Sequence, residues 1–195
     1  MLTIFYTGGL RGDLERLPRL YTFLQNLRRQ QPPGRTLLLD LGDSCAPDVW
    51  HCAITGGRST LIVLDAMGCH AARVKLSDEN RRRLRANLLG MALVDAEHPW
   101  ADGKLVFTAE AVPPPPDALT VVLAPADSTR LDGRALRLAG VSAGQVGLAR
   151  LDDAPALLDY AIYDLPPAAL PDPTITAAVD FVLAEARALQ RKRAE

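Results

Sequence analysis

Leu37-Leu38-Leu39-Asp40-Leu41-Gly42-Asp43-Ser44 is the stretch that decides the fold. Its apolar run reads as a strand buried on both faces of a sheet, and that strand runs into a Gly-Asp turn. A first strand over 2–7 likewise runs into Gly8-Gly9-Leu10-Arg11-Gly12-Asp13. Two such transitions place polar side chains at strand C-terminal ends, where open α/β sheets build their sites.

Working outward, Leu17, Leu20, Tyr21, Leu24 and Leu27 recur at helical spacing and predict an amphipathic helix over 14–30. The run Gln31-Pro32-Pro33-Gly34 stops it. Beyond the strand over 36–41 the spacing predicts a loop from Ser44 to Arg58 and a helix over 59–67 closed by Gly68. A short strand over 70–75 and a basic helix from Ser77 follow, with Arg81, Arg82, Arg83 and Arg85 as a solvated face. Strands are expected over 90–95, 104–111, 119–124, 134–141 and 145–151, with Pro113 to Pro116 as an extended connector. The segment Leu157 to Leu165 leads into a proline-rich turn over 166–173. A last helix carries Ile175, Val179, Val182, Leu183 and Ala186 on one face. Strand and helix alternate in the first half and strands dominate the second. The expected architecture is a layered α/β sandwich with mixed sheets flanked by helices, in one domain over 1–195.

Composition narrows the function classes. Hydrophobic residues make up 48% and charged residues 23%, so the chain folds around a core. The net charge of −1 argues against nucleic acid or a membrane surface as the main partner. No apolar run has the length needed to cross a bilayer, and the chain opens on a strand with no secretory-signal pattern. A cytoplasmic protein is the expectation. Three cysteines, Cys45, Cys52 and Cys69, do not read as a disulfide framework.

The order of elements resembles the calcineurin-like metallophosphoesterases, most closely the catalytic domain of the 5′-nucleotidase branch, over nearly the whole chain. That family's first strand ends in D-x-H-G, matched here by Gly9-Leu10-Arg11-Gly12, and its second in G-D, matched by Gly42-Asp43. Gly57-Arg58, the following helix and Gly68-Cys69-His70-Ala71-Ala72 stand in the family's order. The third motif, G-N-H-E or G-N-H-D, falls on Lys75-Leu76-Ser77-Asp78, and the late G-H-x-H near Pro125-Ala126-Asp127-Ser128. Leu170-Pro171-Asp172-Pro173 before the terminal helix is similar to the close of these catalytic domains.

The resemblance implies a two-metal phosphoesterase fold with most of its ligands replaced. Such a centre needs oxygen and nitrogen ligands converging on two cations that clamp the phosphoryl oxygens. The resemblance makes Asp43 the bridging carboxylate, whereas Gly9, Arg11, Leu76, Ser77, Ala126 and Ser128 stand at other ligand positions. Gly, Leu and Ala offer no side-chain ligand atom, and the permanent charge of Arg11 repels a cation. The two-metal cofactor is therefore expected to be lost. Arg11 and Asp43 are expected to face each other, as an ion pair filling the vacated site. The sharper reading is an anion pocket for a phosphate-containing small molecule, drawn from Gly9, Arg11, Asp43, Lys75, Asp127 and Ser128, with backbone N–H groups of Gly8, Gly9 and Gly12 as donors.

Other polar residues support weaker readings. Cys45, His51 and Cys52, with Asp43 or Asp48, form a candidate zinc set against a simpler reading as free thiols. His51 and Cys52 read as sequence neighbours whose side chains point apart, which argues against a Cys-His nucleophile. His70 is expected at the start of a strand and His98 in a surface loop. The leading expectation is a pseudoenzyme that keeps the fold for binding or assembly. The alternatives are a phosphoester hydrolase rebuilt around Asp43, Asp127 and Ser128, and a structural or interaction subunit.

Overall fold

A computed structural model of the chain describes residues 1–75, 82, 84 and 90–194. Strand β1 (Leu2–Thr7) leads through helix α1 (Leu17–Arg29) to β2 (Arg35–Asp40), which lies parallel to β1. Helices α2 (Trp50–Thr55) and α3 (Arg58–Ala66) precede β3 (Ala71–Arg73) and β4 (Ala92–Val94). Then come β5 (Trp100–Asp102), β6 (Leu105–Thr108), β7 (Leu119–Ala126), β8 (Arg130–Asp132), β9 (Ala135–Ala139), β10 (Gln145–Leu151) and β11 (Leu157–Asp164). Helix α4 (Pro173–Ala194) closes the chain.

The strands form two mixed sheets, one of six in the order β11-β10-β1-β2-β3-β4 and one of five in the order β5-β6-β7-β9-β8. Alternation along β1 explains the layering. Phe5 faces a core built with Leu17, Leu20 and Leu24 of α1, Leu64 of α3 and Val182 of α4. Ile4 and Tyr6 face the other way, into a core shared with Phe107, Val121 and Leu136 of the second sheet. Both faces of β1 and β2 are covered, which is why Ile4 to Tyr6 and Leu37 to Leu39 are buried without alternation. The expected α/β sandwich with mixed sheets and flanking helices is the observed fold.

Local chemistry sets the helix ends. In α4 the Asp172 carboxylate accepts the backbone N–H groups of Thr174 at 2.9 Å and Ile175 at 3.0 Å, with Pro173 at the first helical position. Helix α1 starts three residues later than the periodicity suggests. Leu14 is buried in the preceding turn, so its apolar character serves the core without being helical.

Four elements escaped the sequence, among them β11, for whose segment the sequence assigns no element type. Helix α2 lies inside the expected 44–58 loop, and β5 and β8 have three residues each, too few to show a period. Strand β5 is held by Trp100 stacked on Phe107, ring centroids 4.7 Å apart. Apart from Arg82 and Leu84, the basic helix expected from Ser77 lies outside the described residues, as does the third-motif match over Leu76, Ser77 and Asp78.

Candidate functional site

The site is built where β1 and β2 leave the first sheet. The two turns are zipped by three backbone hydrogen bonds. Gly9 N–H donates to Gly42 O at 3.0 Å, Arg11 N–H to Asp43 O at 2.8 Å and Gly12 N–H to Ser44 O at 2.8 Å. The amides of Gly9 and Gly12, expected as anion donors, are thus spent on holding the turns together. Arg11 and Asp43 both adopt left-handed backbone, at φ 51° and φ 55°, which costs side-chain-bearing residues roughly 1–3 kcal/mol each.

Beneath the turn lies Asp40, fully buried at the end of β2. Its carboxylate accepts from Thr7 Oγ1 at 3.1 Å, Gly42 N–H at 3.0 Å and the Ser44 hydroxyl. Burial pushes its pKa up to about 7, against the pull of those three donors toward the charged form. Sequence reasoning passed over Asp40. Its signal was an acid closing a run of three leucines, a position that only a satisfied carboxyl can hold.

Arg11 and Asp43 do face each other, with Nη1 to Oδ2 at 3.7 Å, but their side chains are 63% and 59% exposed. The pair is a surface one, not the buried pair that would be costly to break. Asp43 also lines a cavity of about 500 Å³ together with Cys45, Cys52, Gly57, Arg73 and Lys75. Arg73 spends its Nε on Ala109 O at 3.1 Å. Asp127 and Ser128 are exposed in the β7–β8 turn and do not line this cavity. Beside them, buried Thr129 accepts Ala139 N–H at 3.0 Å and meets the Tyr6 hydroxyl at 3.2 Å.

Cys45 and Cys52 are joined in a disulfide, with Cα atoms 5.6 Å apart, which corrects the expectation of free thiols. The pairing depends on α2, which folds back under the β2 turn and brings Cys52 to Cys45 across seven residues. Cys69 is free and buried. His51 is buried beside the disulfide. Its Nε2 lies 3.0 Å from Gly12 O and its Nδ1 2.8 Å from Ser59 Oγ. A carbonyl only accepts, so Nε2 carries the proton and Nδ1 presents its lone pair. Burial lowers the His51 pKa, opposed by the bond to Gly12. The side chains of His51 and Cys52 do not point apart as expected: on helix α2 they bring Nδ1 within 3.7 Å of Sγ. Gly12 permits this approach. It has φ 88°, and a β-carbon there would stand 2.9 Å from Cys52 Sγ.

The other histidines sit as the sequence suggests. His70 accepts Leu38 N–H at 3.1 Å just before β3, and His98 pairs with Asp95 at 3.0 Å in the β4–β5 connection.

Among the described residues, the one group of three or more His, Cys, Asp or Glu side chains within metal-ligating reach is Cys45, His51 and Cys52, and Asp43 is outside it. Asp48 likewise lies outside it. The charge that Asp43 faces is the Arg11 guanidinium.

The two sheets and their helical layer define the metallophosphoesterase fold. The chain superimposes over 97% of its length on a 5′-nucleotidase precursor from Thermus thermophilus, with a TM-score of 0.66 and 13% identity. It matches the NAD nucleotidase of Haemophilus influenzae over 98% of its length, with a TM-score of 0.56 and 12% identity. The calcineurin-like phosphoesterase YfkN from Bacillus subtilis matches over 98% of both chains, with a TM-score of 0.59 and 12% identity. The chain spans 59% of each of the first two. No protein-family model and no curated protein sequence matches it. At these identities the likeness defines the fold alone. Among the described residues, no helix is long and apolar enough to cross a membrane.

Proposed function

We propose that this chain is a non-hydrolytic member of the metallophosphoesterase fold that binds a phosphate-containing small molecule in the cavity beside Asp43. The observation that carries the reading is the pair Arg11–Asp43. At the position the resemblance gives to a bridging carboxylate, the neighbouring charge is a fixed guanidinium at 3.7 Å. Arg73 and Lys75 line the adjoining cavity, so its charged lining is net positive even with Asp43 present. With the Gly9 and Gly12 amides engaged, recognition falls to Arg73 and Lys75 in the cavity lining and to Arg11, which is outside that lining and adjoins it through Asp43. The rebuilt hydrolase around Asp43, Asp127 and Ser128 is less favoured, because the last two lie outside the cavity. A role as an interaction subunit has one observation in its favour: Leu158, Tyr160 and Ile162 are exposed along the edge strand β11.

The test has two arms. Inorganic phosphate or a nucleotide at millimolar concentration should raise the melting temperature, and Arg11→Ala or Lys75→Ala should abolish the rise. Phosphatase assays with Mn²⁺, Zn²⁺ or Mg²⁺ should give no turnover above that of Asp43→Asn. Metal-dependent turnover lost in Asp43→Asn would overturn the non-hydrolytic reading. No thermal shift in the wild type would overturn the anion site.

A further inference from the structure

We propose that reduction of the Cys45–Cys52 disulfide opens a binding site for one thiophilic divalent cation of the zinc class, held by Cys45 Sγ, Cys52 Sγ and His51 Nδ1. The three ligand atoms already lie within 4.8 Å of one another. Two sulfurs and an imidazole nitrogen form a common donor set for zinc, and three protein ligands leave a fourth position for water or a ligand. That position has room here, because Cys45 and Cys52 both line the cavity of about 500 Å³.

The surroundings support ligation as well as the ligands do. His51 donates Nε2–H to Gly12 O at 3.0 Å, so the imidazole is fixed in the tautomer that leaves Nδ1 bare. Metal-bound histidines are commonly oriented by such a bond from their second nitrogen. In the oxidised protein Ser59 Oγ, 2.8 Å away, satisfies Nδ1. A cation would take the place of that hydroxyl proton. Thr60 Oγ1 stands 3.2 Å from Cys45 Sγ, close enough for its hydroxyl to donate to a thiolate. His51 and Cys52 are buried on one helix, while Cys45 is half-buried in the β2 loop. Cys45 is therefore the ligand that moves when the sulfurs part to about 3.7 Å, the separation set by tetrahedral zinc–thiolate geometry.

The chemistry balances with a dithiol as the reductant. The dithiol gives up two electrons and two protons and becomes a disulfide. The Cys45–Cys52 bond breaks, and each sulfur becomes a thiol. Metal binding then displaces both thiol protons to solvent, and His51, already neutral at Nδ1, contributes its lone pair. The site would exist in a reducing compartment and be closed in an oxidising one. It does not rest on the phosphate reading, which concerns Arg11, Arg73 and Lys75.

The experiment titrates the full chain with Co²⁺ alone, once oxidised and once reduced by a thiol-free phosphine. The reduced wild type should bind one equivalent with a thiolate-to-cobalt charge-transfer band that one equivalent of Zn²⁺ removes. The oxidised protein should show no such band. Cys45→Ser and Cys52→Ser should weaken the band and the affinity, and His51→Gln should bind at least about tenfold more weakly. Absence of the band in the reduced wild type, equal binding by the oxidised protein, or unchanged affinity in His51→Gln would each overturn the site. The oxidised-against-reduced comparison uses the wild-type chain, so misfolding of a variant does not decide the outcome.

Discussion

The ring of Tyr6 lies across the backbone of Gly147, so closely that a β-carbon at Gly147 would fall 2.0 Å from Tyr6 Cζ. The two residues are paired across the antiparallel strands β1 and β10. Tyr6 is fully buried between the sheets, where its hydroxyl meets Thr129 at 3.2 Å, and so the ring has no free space to enter. Gly147 is thus the residue that lets the first strand carry an aromatic ring between the sheets.

Gly147→Ala should therefore destabilise the protein by about 3 kcal/mol or more, as overpacking of a closed core does. The cost should fall sharply in the Tyr6→Leu background, where the ring is gone. Equilibrium denaturation of the two single variants and the double variant measures the coupling. Additive costs would show that the ring and the glycine do not meet.

The Arg11–Asp43 pair should contribute little to stability despite its position. Both side chains are more than half exposed, and a double-mutant cycle to Ala should give a coupling of about 0.2–1 kcal/mol. Arg11→Gly should raise stability by about 1 kcal/mol by relieving the φ of 51°. The same substitution should remove the phosphate-induced thermal shift, separating stability from binding.

Asp40 should make stability depend on pH in the direction opposite to a salt-bridged acid. Its folded pKa is raised to about 7, so between about pH 4 and 7 the native state keeps a proton that the unfolded chain has lost. The contribution is fully present below about pH 4 and is lost as pH rises through about 7, a change of roughly 4 kcal/mol at this shift. Melting curves from about pH 4 to about pH 8 should show this slope, flattened in Asp40→Asn. That variant should also be less stable by about 1–3 kcal/mol, because its NH2 replaces one accepting oxygen and so forfeits either the bond from Thr7 or the pair from Gly42 and Ser44.

Reducing Cys45–Cys52 without metal should lower stability by roughly 2 kcal/mol, the loop-closure effect for so short a loop. Zn²⁺ should restore part of the loss in the reduced wild type and none in Cys45→Ser. Thermal melts under oxidising, reducing, and reducing plus Zn²⁺ conditions compare the three states directly.

How much of this was legible in the sequence differs by element. The strands around Phe5 and Leu38 were readable because burial on both faces demands an unbroken apolar run. Helix α1 was readable because one face is buried. Helix α2 was not, since Trp50–Thr55 spans under two turns and its His and Cys serve a local cluster without forming an apolar stripe. The pairing of Arg11 with Asp43 was visible from their places at the ends of the first two strands. The exposure of that pair was not visible, because it depends on how the two turns lie over each other.

The sequence by itself determined the layered α/β sandwich, since apolar periodicity follows directly from which faces are buried. It also showed which residue types stand beside Asp43 in the two turns, Gly9 and Arg11 among them. Only the tertiary structure decided what surrounds Asp43. Three backbone bonds between the β1 and β2 turns consume the Gly9 and Gly12 amides. The fold of α2 joins Cys45 to Cys52 and fixes His51 against Gly12. The turn bonds and the His51–Gly12 contact link residues more than thirty positions apart, and even the seven-residue span of the disulfide closes only because α2 folds back, so no local pattern encodes these distances.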